Sequence, residues 1–358
     1  MIEGRVENEE TMRFQRILKL AAMTLLGFSA AVATAGAEPL AKQLFGAKTL
    51  PAATRPAVHG FYSKGCFAGG VAIAPDGPNW QAMRLSRNRR WGHPALISML
   101  ERLSREAAQD GWRGLLVGDI SQPRGGPMLT GHASHQIGLD ADIWFTEMPA
   151  KRMSVADRER ISAISMLKKG SLYVDDKKWT PAHEAVLHRA ASYPEVERIL
   201  VHPGIKKKLC DTVRGNRSWL SKIRPFWGHH YHFHVRIGCP AGSPGCKSQN
   251  PPPRSEGCDD TLAWWFTEEP WKPAKGPAKP KARDVMTMAA LPSACRVVLE
   301  APNPVSEAAV TVAGRGGVPQ AATADLPALG YQAVSPASVL SAMPPAQVPR
   351  PTNRPGFE

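Results

Sequence analysis

Gly131-His132-Ala133-Ser134-His135-Gln136-Ile137-Gly138-Leu139-Asp140-Ala141-Asp142 and His229-His230-Tyr231-His232-Phe233-His234-Val235 hold six of the eleven histidines of the chain, and the fold follows from how they are read. Taken as a strand, the second stretch puts His230, His232 and His234 on one face and Tyr231, Phe233 and Val235 on the other, because side chains alternate along a strand. Same-face neighbours are then about 6.6 Å apart, a spacing that suits one metal ligand with one base beside it. In the first stretch Asp140 and Asp142 share a strand face, and His135 precedes them in a loop that Gly138 allows to turn sharply. A His from the loop, an Asp from one strand and a His from the next can converge on one cation. Two imidazole nitrogens and a carboxylate oxygen leave a tetrahedral zinc one open position. Such an ion polarises a carbonyl and brings the pKa of bound water towards ~7.

Other chemistries fit less well. The H-E-x-x-H signature of helix-borne zinc proteases is absent, and Ser134 lies in no G-x-S-x-G elbow. A closed structural zinc site calls for four Cys/His ligands, whereas the cysteines read as disulfide partners. Histidine tracts that merely sequester metal lie in low-complexity sequence, and these two do not.

Outward from the clusters, the 358 residues allow one large domain or two ordinary ones, plus tails. With 43% hydrophobic residues the chain can build a core, and 21% charged residues argue against global disorder. Lys and Arg number 45 against 31 acids, a formal charge of +14. The basic residues are scattered or lie in a proline arm and no recognition motif accompanies them, so nucleic-acid binding is not expected. No apolar run reaches the ~18 residues of a bilayer-spanning helix, so the mature chain is expected to lack a transmembrane span. Residues 13–37 read as a cleavable export signal, with Arg13, Arg16 and Lys19 ahead of an apolar stretch and Ala35-Gly36-Ala37 as the cleavage site. Residues 1–11 stand as a doubtful acidic extension, with Met12 as a candidate start. Six cysteines, Cys66, Cys210, Cys239, Cys246, Cys258 and Cys295, form no C-x-x-C pair and in an exported chain suggest disulfides. Spacing alone leaves fifteen connectivities open, of which Cys239–Cys246 is the easiest local pair.

The order of elements supports an α+β fold. Residues 38–60 read as an irregular lead-in and 61–90 as a Gly-rich stretch broken by prolines. A helix starts at Pro94 and carries Leu96, Ile97, Leu100 and Leu103 at helical spacing before Gly111 stops it. Strands are expected over 114–118, 139–145, 196–201 and 230–237, a second helix from Thr180-Pro181 to near Tyr193, and a short one over 216–223. The expectation is a small, mostly antiparallel sheet carrying a zinc site, flanked by helices. Order is expected to fade after Pro251, and 270–283 reads as a proline-rich, basic arm. From 301 to 358 there are ten prolines, six charged residues and two aromatics, too little to bury a core. The organisation is thus a signal over 1–37, a domain over 38–298 and a disordered Pro/Ala-rich tail over 299–358.

At Arg89-Arg90-Trp91-Gly92-His93-Pro94, Gly118-Asp119, the Gly131–Asp142 stretch, Ile223-Arg224-Pro225-Phe226-Trp227 and His232-Phe233-His234-Val235-Arg236, the chain resembles the penicillin-insensitive murein endopeptidases. That family falls within the wider zinc peptidase group of lysostaphin-type enzymes, D-Ala-D-Ala carboxypeptidases and hedgehog domains. The resemblance covers about 60–296. It implies zinc held by His135, Asp142 and His234, with His132 counted with the metal site or orienting substrate. It makes His232 the general base or transition-state donor and His229 a further functional residue, and gives His230 no role. It implies the pairings Cys66–Cys295, Cys210–Cys258 and Cys239–Cys246. It also implies a periplasmic zinc metallopeptidase that hydrolyses D-alanyl–meso-diaminopimelyl cross-links of peptidoglycan, insensitive to penicillin because no serine is acylated. The alternatives are a D,D- or L,D-carboxypeptidase on stem peptides, or a non-catalytic zinc-binding wall module.

Overall fold

The computed structural model describes residues 38–273 and 276–312, which belong, from Pro39 onward, to one compact unit. The export signal expected over 1–37 and the tail from 313 lie outside the described residues. No helix among the described residues is long and apolar enough to cross a membrane.

Twelve strands are described: β1 (Ala57–Phe61), β2 (Lys64–Ala68), β3 (Val71–Ile73), β4 (Asp76–Gly77), β5 (Trp80–Ala82), β6 (Trp91–Gly92), β7 (Leu115–Val117), β8 (Asp140–Trp144), β9 (Val196–Val201), β10 (Ile223–Pro225), β11 (His232–Ile237) and β12 (Thr311–Val312). The main sheet has seven strands in the order β10-β9-β11-β8-β7-β5-β4. It is larger than the expected sheet, and it is mixed: β10–β9 and β5–β7 are parallel, while the other four pairings are antiparallel. The physical reason is the crossovers. Between β5 and β7 runs the helix Pro94–Gln109, and between β9 and β10 runs the helix Pro203–Thr212. Each carries the chain back to the same edge so that the next strand starts in the same direction. Pro203 at the first helical position, capped by His202, marks the second of these helices, which the periodicity did not reveal.

The two central strands place the site. In the β8–β11 ladder Asp142 stands opposite His234, and Asp140 opposite Arg236. Alternation sends Ala141, Ile143, Phe233 and Val235 to the other face, where all four are fully buried. They meet Leu96, Leu100 and Leu103 of the helix Pro94–Gln109 and Val186 and Leu187 of the helix Pro181–Ser192 in one apolar cluster. Each such leucine contributes roughly 2–3 kcal/mol by leaving water.

The stretches read as irregular are more ordered than expected. Residues 61–90 supply β2 to β5, and 38–60 supply the helix Ala41–Gly46 and β1. Phe45 packs with Met286, Met288, Cys295 and Val298 in a second apolar cluster, so the lead-in and the C-terminal arm cover each other. The cysteines pair as Cys66–Cys295, Cys210–Cys258 and Cys239–Cys246. Disorder from 299 onward does not hold for residues 299–312. The buried Arg124 guanidinium donates to the carbonyls of Val298, Leu299 and Ala301 and to Asn303. Arg90 pairs with Glu307, and β12 adds in parallel to β3. The segment has no core of its own; it is ordered by hydrogen-bonding groups that the domain lends it.

Candidate metal centre

His135 reaches the centre through an unusual backbone. Its φ of 66° lies in the left-handed region, and three bonds hold it there. Its amide donates to Asp140 Oδ2 at 3.1 Å, its carbonyl accepts from Ser121 Oγ, and its ring Nδ1 donates to the carbonyl of Ile120. Gly138 then turns the chain into β8 with φ +66°, where a Cβ would come within 2.9 Å of the Phe67 ring. Glycine is required there on both counts.

With Nδ1 committed to Ile120, His135 presents the lone pair of Nε2. That atom lies 3.1 Å from His234 Nδ1 and 3.4 Å from Asp142 Oδ1, and His234 Nδ1 lies 3.3 Å from the same oxygen. Donor atoms bound at about 2.0–2.1 Å to a tetrahedral zinc stand about 3.3–3.4 Å from one another, so this triangle fits such an ion. A proton shared between the two imidazoles would account for the 3.1 Å edge alone. It would leave Asp142 Oδ1, which is buried and accepts no hydrogen bond from the described residues, an arrangement that is costly unless a cation meets it.

The surroundings hold the donors in place. Asp140, fully buried, accepts two bonds from Arg236 at 2.7 and 3.1 Å and lies 3.1 Å from His234 Nε2. It therefore orients the imidazole from behind, as a carboxylate behind a metal-bound histidine does. Burial works against ionising Asp140, but Arg236 and His234 outweigh it and hold its carboxyl far below the usual range. Burial likewise opposes the Asp142 charge, and His232, His135 and His132 overcome it. Burial pulls His234 down, while Asp140 and Asp142 lift it above its ordinary value.

His232 points Nε2 into the same space, 3.6 Å from Asp142 Oδ1, and burial pushes its pKa down to about 4. The His229 ring lies 4.9 Å from that of His232, with its Nδ1 donating to the Trp227 carbonyl at 2.7 Å. His132 sits at the rim. Its Nε2 is 3.0 Å from Asp119 Oδ2 and 3.6 Å from Asp142 Oδ2, and His132, His135 and Asp142 can also bring donor atoms within 4.8 Å of one another. That is a looser triangle than the one His234 completes.

The alternation that placed His230 beside His232 and His234 is not realised. The strand begins only at His232, and the left-handed backbone of Gly228 and His229 turns the chain just before it. His230 instead bonds Ser165 Oγ at 2.9 Å, away from the centre. Conversely, Asp119 was not singled out from the sequence as a site residue. It is buried at the end of the strand–loop step Gly118-Asp119 and receives Arg89 at 2.9 Å, Arg87 at 3.2 Å and His132. An acid directly after a buried apolar strand was the available signal.

Comparison with known proteins gives one consistent picture. The model of the penicillin-insensitive murein endopeptidase family matches residues 58–300. The penicillin-insensitive murein endopeptidase of Haemophilus influenzae is 44% identical over 246 residues, covering 68% of this chain and 82% of the relative. The protein of the same name from Klebsiella pneumoniae subsp. pneumoniae is 38% identical over 241 residues, 67% of this chain and 85% of the relative.

Proposed function

We propose, for a chain that belongs to the penicillin-insensitive murein endopeptidase family, a zinc-dependent hydrolysis of the D-alanyl–meso-diaminopimelyl cross-links of peptidoglycan in the periplasm. The observation that carries the reading is Asp142 Oδ1, buried, without a hydrogen bond among the described residues, and 3.3–3.4 Å from two imidazole nitrogens. His135 Nε2, His234 Nδ1 and Asp142 Oδ1 are the donors. Bound there, zinc supplies Lewis acidity toward the scissile carbonyl and makes water easier to deprotonate.

The residues around the donors supply the proton transfers. His232, which burial favours in its neutral form, keeps an imidazole nitrogen to take a proton from the attacking water and hand it to the leaving amine. His229, tied at Nδ1 to Trp227, has Nε2 left to hydrogen-bond the reacting group. No serine is acylated in this scheme, which accounts for indifference to penicillin. The three disulfides suit an oxidising compartment, and residues 13–37 have the composition of an export signal. The test is a digest of purified cross-linked muropeptides with and without chelator. Dimers should disappear, chelator should stop this, and zinc should restore it. Shortened monomers with dimers intact would mean a carboxypeptidase, and no change at all would end the enzyme reading.

A further inference from the structure

The turn Leu85–Arg87 is flanked by Arg84 at φ 55° and Asn88 at φ 51°, two non-glycine residues in the left-handed region. Such strain persists only where neighbours over-determine it, and it concentrates at functional sites. Here the pinning is extensive. Arg84 donates to the carbonyls of Arg158 and Ile161, Ser86 gives its amide and hydroxyl to the Glu159 carboxylate, and Asn88 joins the Thr49 carbonyl to the Trp91 indole. The turn leaves the Arg87 side chain 48% exposed. Among the described residues only its Nη1 is engaged, by Asp119.

That engagement is surplus to what Asp119 needs. Arg89, 10% exposed and 2.9 Å away, already neutralises it, and His132 adds a hydrogen bond. Three guanidinium groups stand among the three buried carboxylates, Arg87 and Arg89 both on Asp119 and Arg236 on Asp140, while Asp142 meets only histidines. A divalent cation then leaves the centre positive, and Arg87 is the half-exposed member of the set. Tyr231, 38% exposed, has its ring 4.6 Å from that of His232 beside the centre.

We infer that Arg87 is the specificity-determining residue that grips a substrate carboxylate one carbon from the scissile amide nitrogen. The inference rests on the peptidoglycan reading above. In a D-alanyl–meso-diaminopimelyl cross-link the acylated amine sits on a carbon that also bears a free carboxylate. The Nε and Nη2 edge of Arg87 offers that group the planar two-point pairing that a lysine lacks.

The test uses two cross-linked peptides that differ only in carboxylate or carboxamide at that carbon. The protein should cleave the carboxylate form about 10- to 100-fold better in kcat/KM. R87A and R87Q should lose that acid-over-amide preference with zinc content unchanged, and R87K should recover part of it. R87Q retains a donor for Asp119, so it separates loss of recognition from loss of support. Calorimetric binding of the leaving-group product, as acid and as amide, reads the same ratio without turnover. If R87Q lowers both substrates equally, or acid and amide products bind R87Q and the unaltered protein in the same ratio, Arg87 is structural and the inference fails. If the unaltered protein cleaves neither peptide, the peptidoglycan reading fails, and the product-binding ratio still decides on Arg87.

Discussion

His93, His183 and His202 stand at helix starts, whereas His135, His232 and His234 stand over the central strands, and all six are buried. Burial drives the pKa of every one below its ordinary value except His234, which its carboxylates lift. At the helix starts each ring has an assigned partner: Nδ1 accepts from the backbone amide of Ala95 at 3.2 Å, of Thr180 at 3.0 Å and of Gly204 at 3.0 Å. Over the strands three rings instead converge on one buried carboxylate oxygen that accepts no hydrogen bond from the described residues. Burial and a depressed pKa are therefore common to structural and functional histidines here. The unmatched oxygen is what tells the two regions apart.

That contrast can be broken most severely at Asp142. Asp142→Ala should abolish zinc binding and reduce cross-link cleavage by on the order of 10³-fold or more; elemental analysis with full metal content and undiminished turnover would show that the unmatched oxygen has no such role. His232→Ala should keep the metal yet slow turnover by about 10²–10⁴-fold, and an unchanged rate would remove His232 from the proton transfers. Asp140→Asn should weaken zinc affinity by about 10–100-fold without touching a donor atom, measurable by competition with a chelator.

The smallest effect belongs to the helix starts. The folded pKa values of His93 and His202, about 4 and about 3, lie below the ~6.5 of an unfolded chain. As pH falls the unfolded state takes up protons first, so the stability these residues contribute is complete above about pH 6.5 and declines towards pH 4 for His93 and towards pH 3 for His202. The decline is on the order of 1–3 kcal/mol per histidine. Urea unfolding of His93→Asn and His202→Asn should show a shallower acid slope, because asparagine caps without titrating, while metal content and activity at neutral pH stay put. An unaltered slope would locate the acid sensitivity elsewhere, starting with Asp119.

The helix from Pro94, the strands over 139–145 and 196–201 and the helix from Pro181 were legible because periodicity, proline and capping signals are local. The helix Pro203–Thr212 was missed although Pro203 marked it, since Lys206, Lys207 and Lys208 interrupt the apolar pattern; Lys206 is in fact buried, donating to the carbonyls of Leu220 and Glu256. Residues 299–312 were misread because composition reports whether a segment can bury a core of its own. It does not report whether Arg124, Arg90 and the edge of β3 will hold it.

From strand alternation and a glycine-permitted turn, both properties of neighbouring residues, the sequence by itself put the Asp140/Asp142 face and the histidine face of the later strand forward as one site, and the family resemblance narrowed it to His135, Asp142, His232 and His234. Only the tertiary structure decided which aspartate faces the imidazoles and which backs them, since that follows from a register across two strands nearly a hundred residues apart. The same holds for Asp119 and Arg87. Their roles depend on charges brought close in space from separate loops, and electrostatic interaction falls with distance through the molecule rather than along the chain.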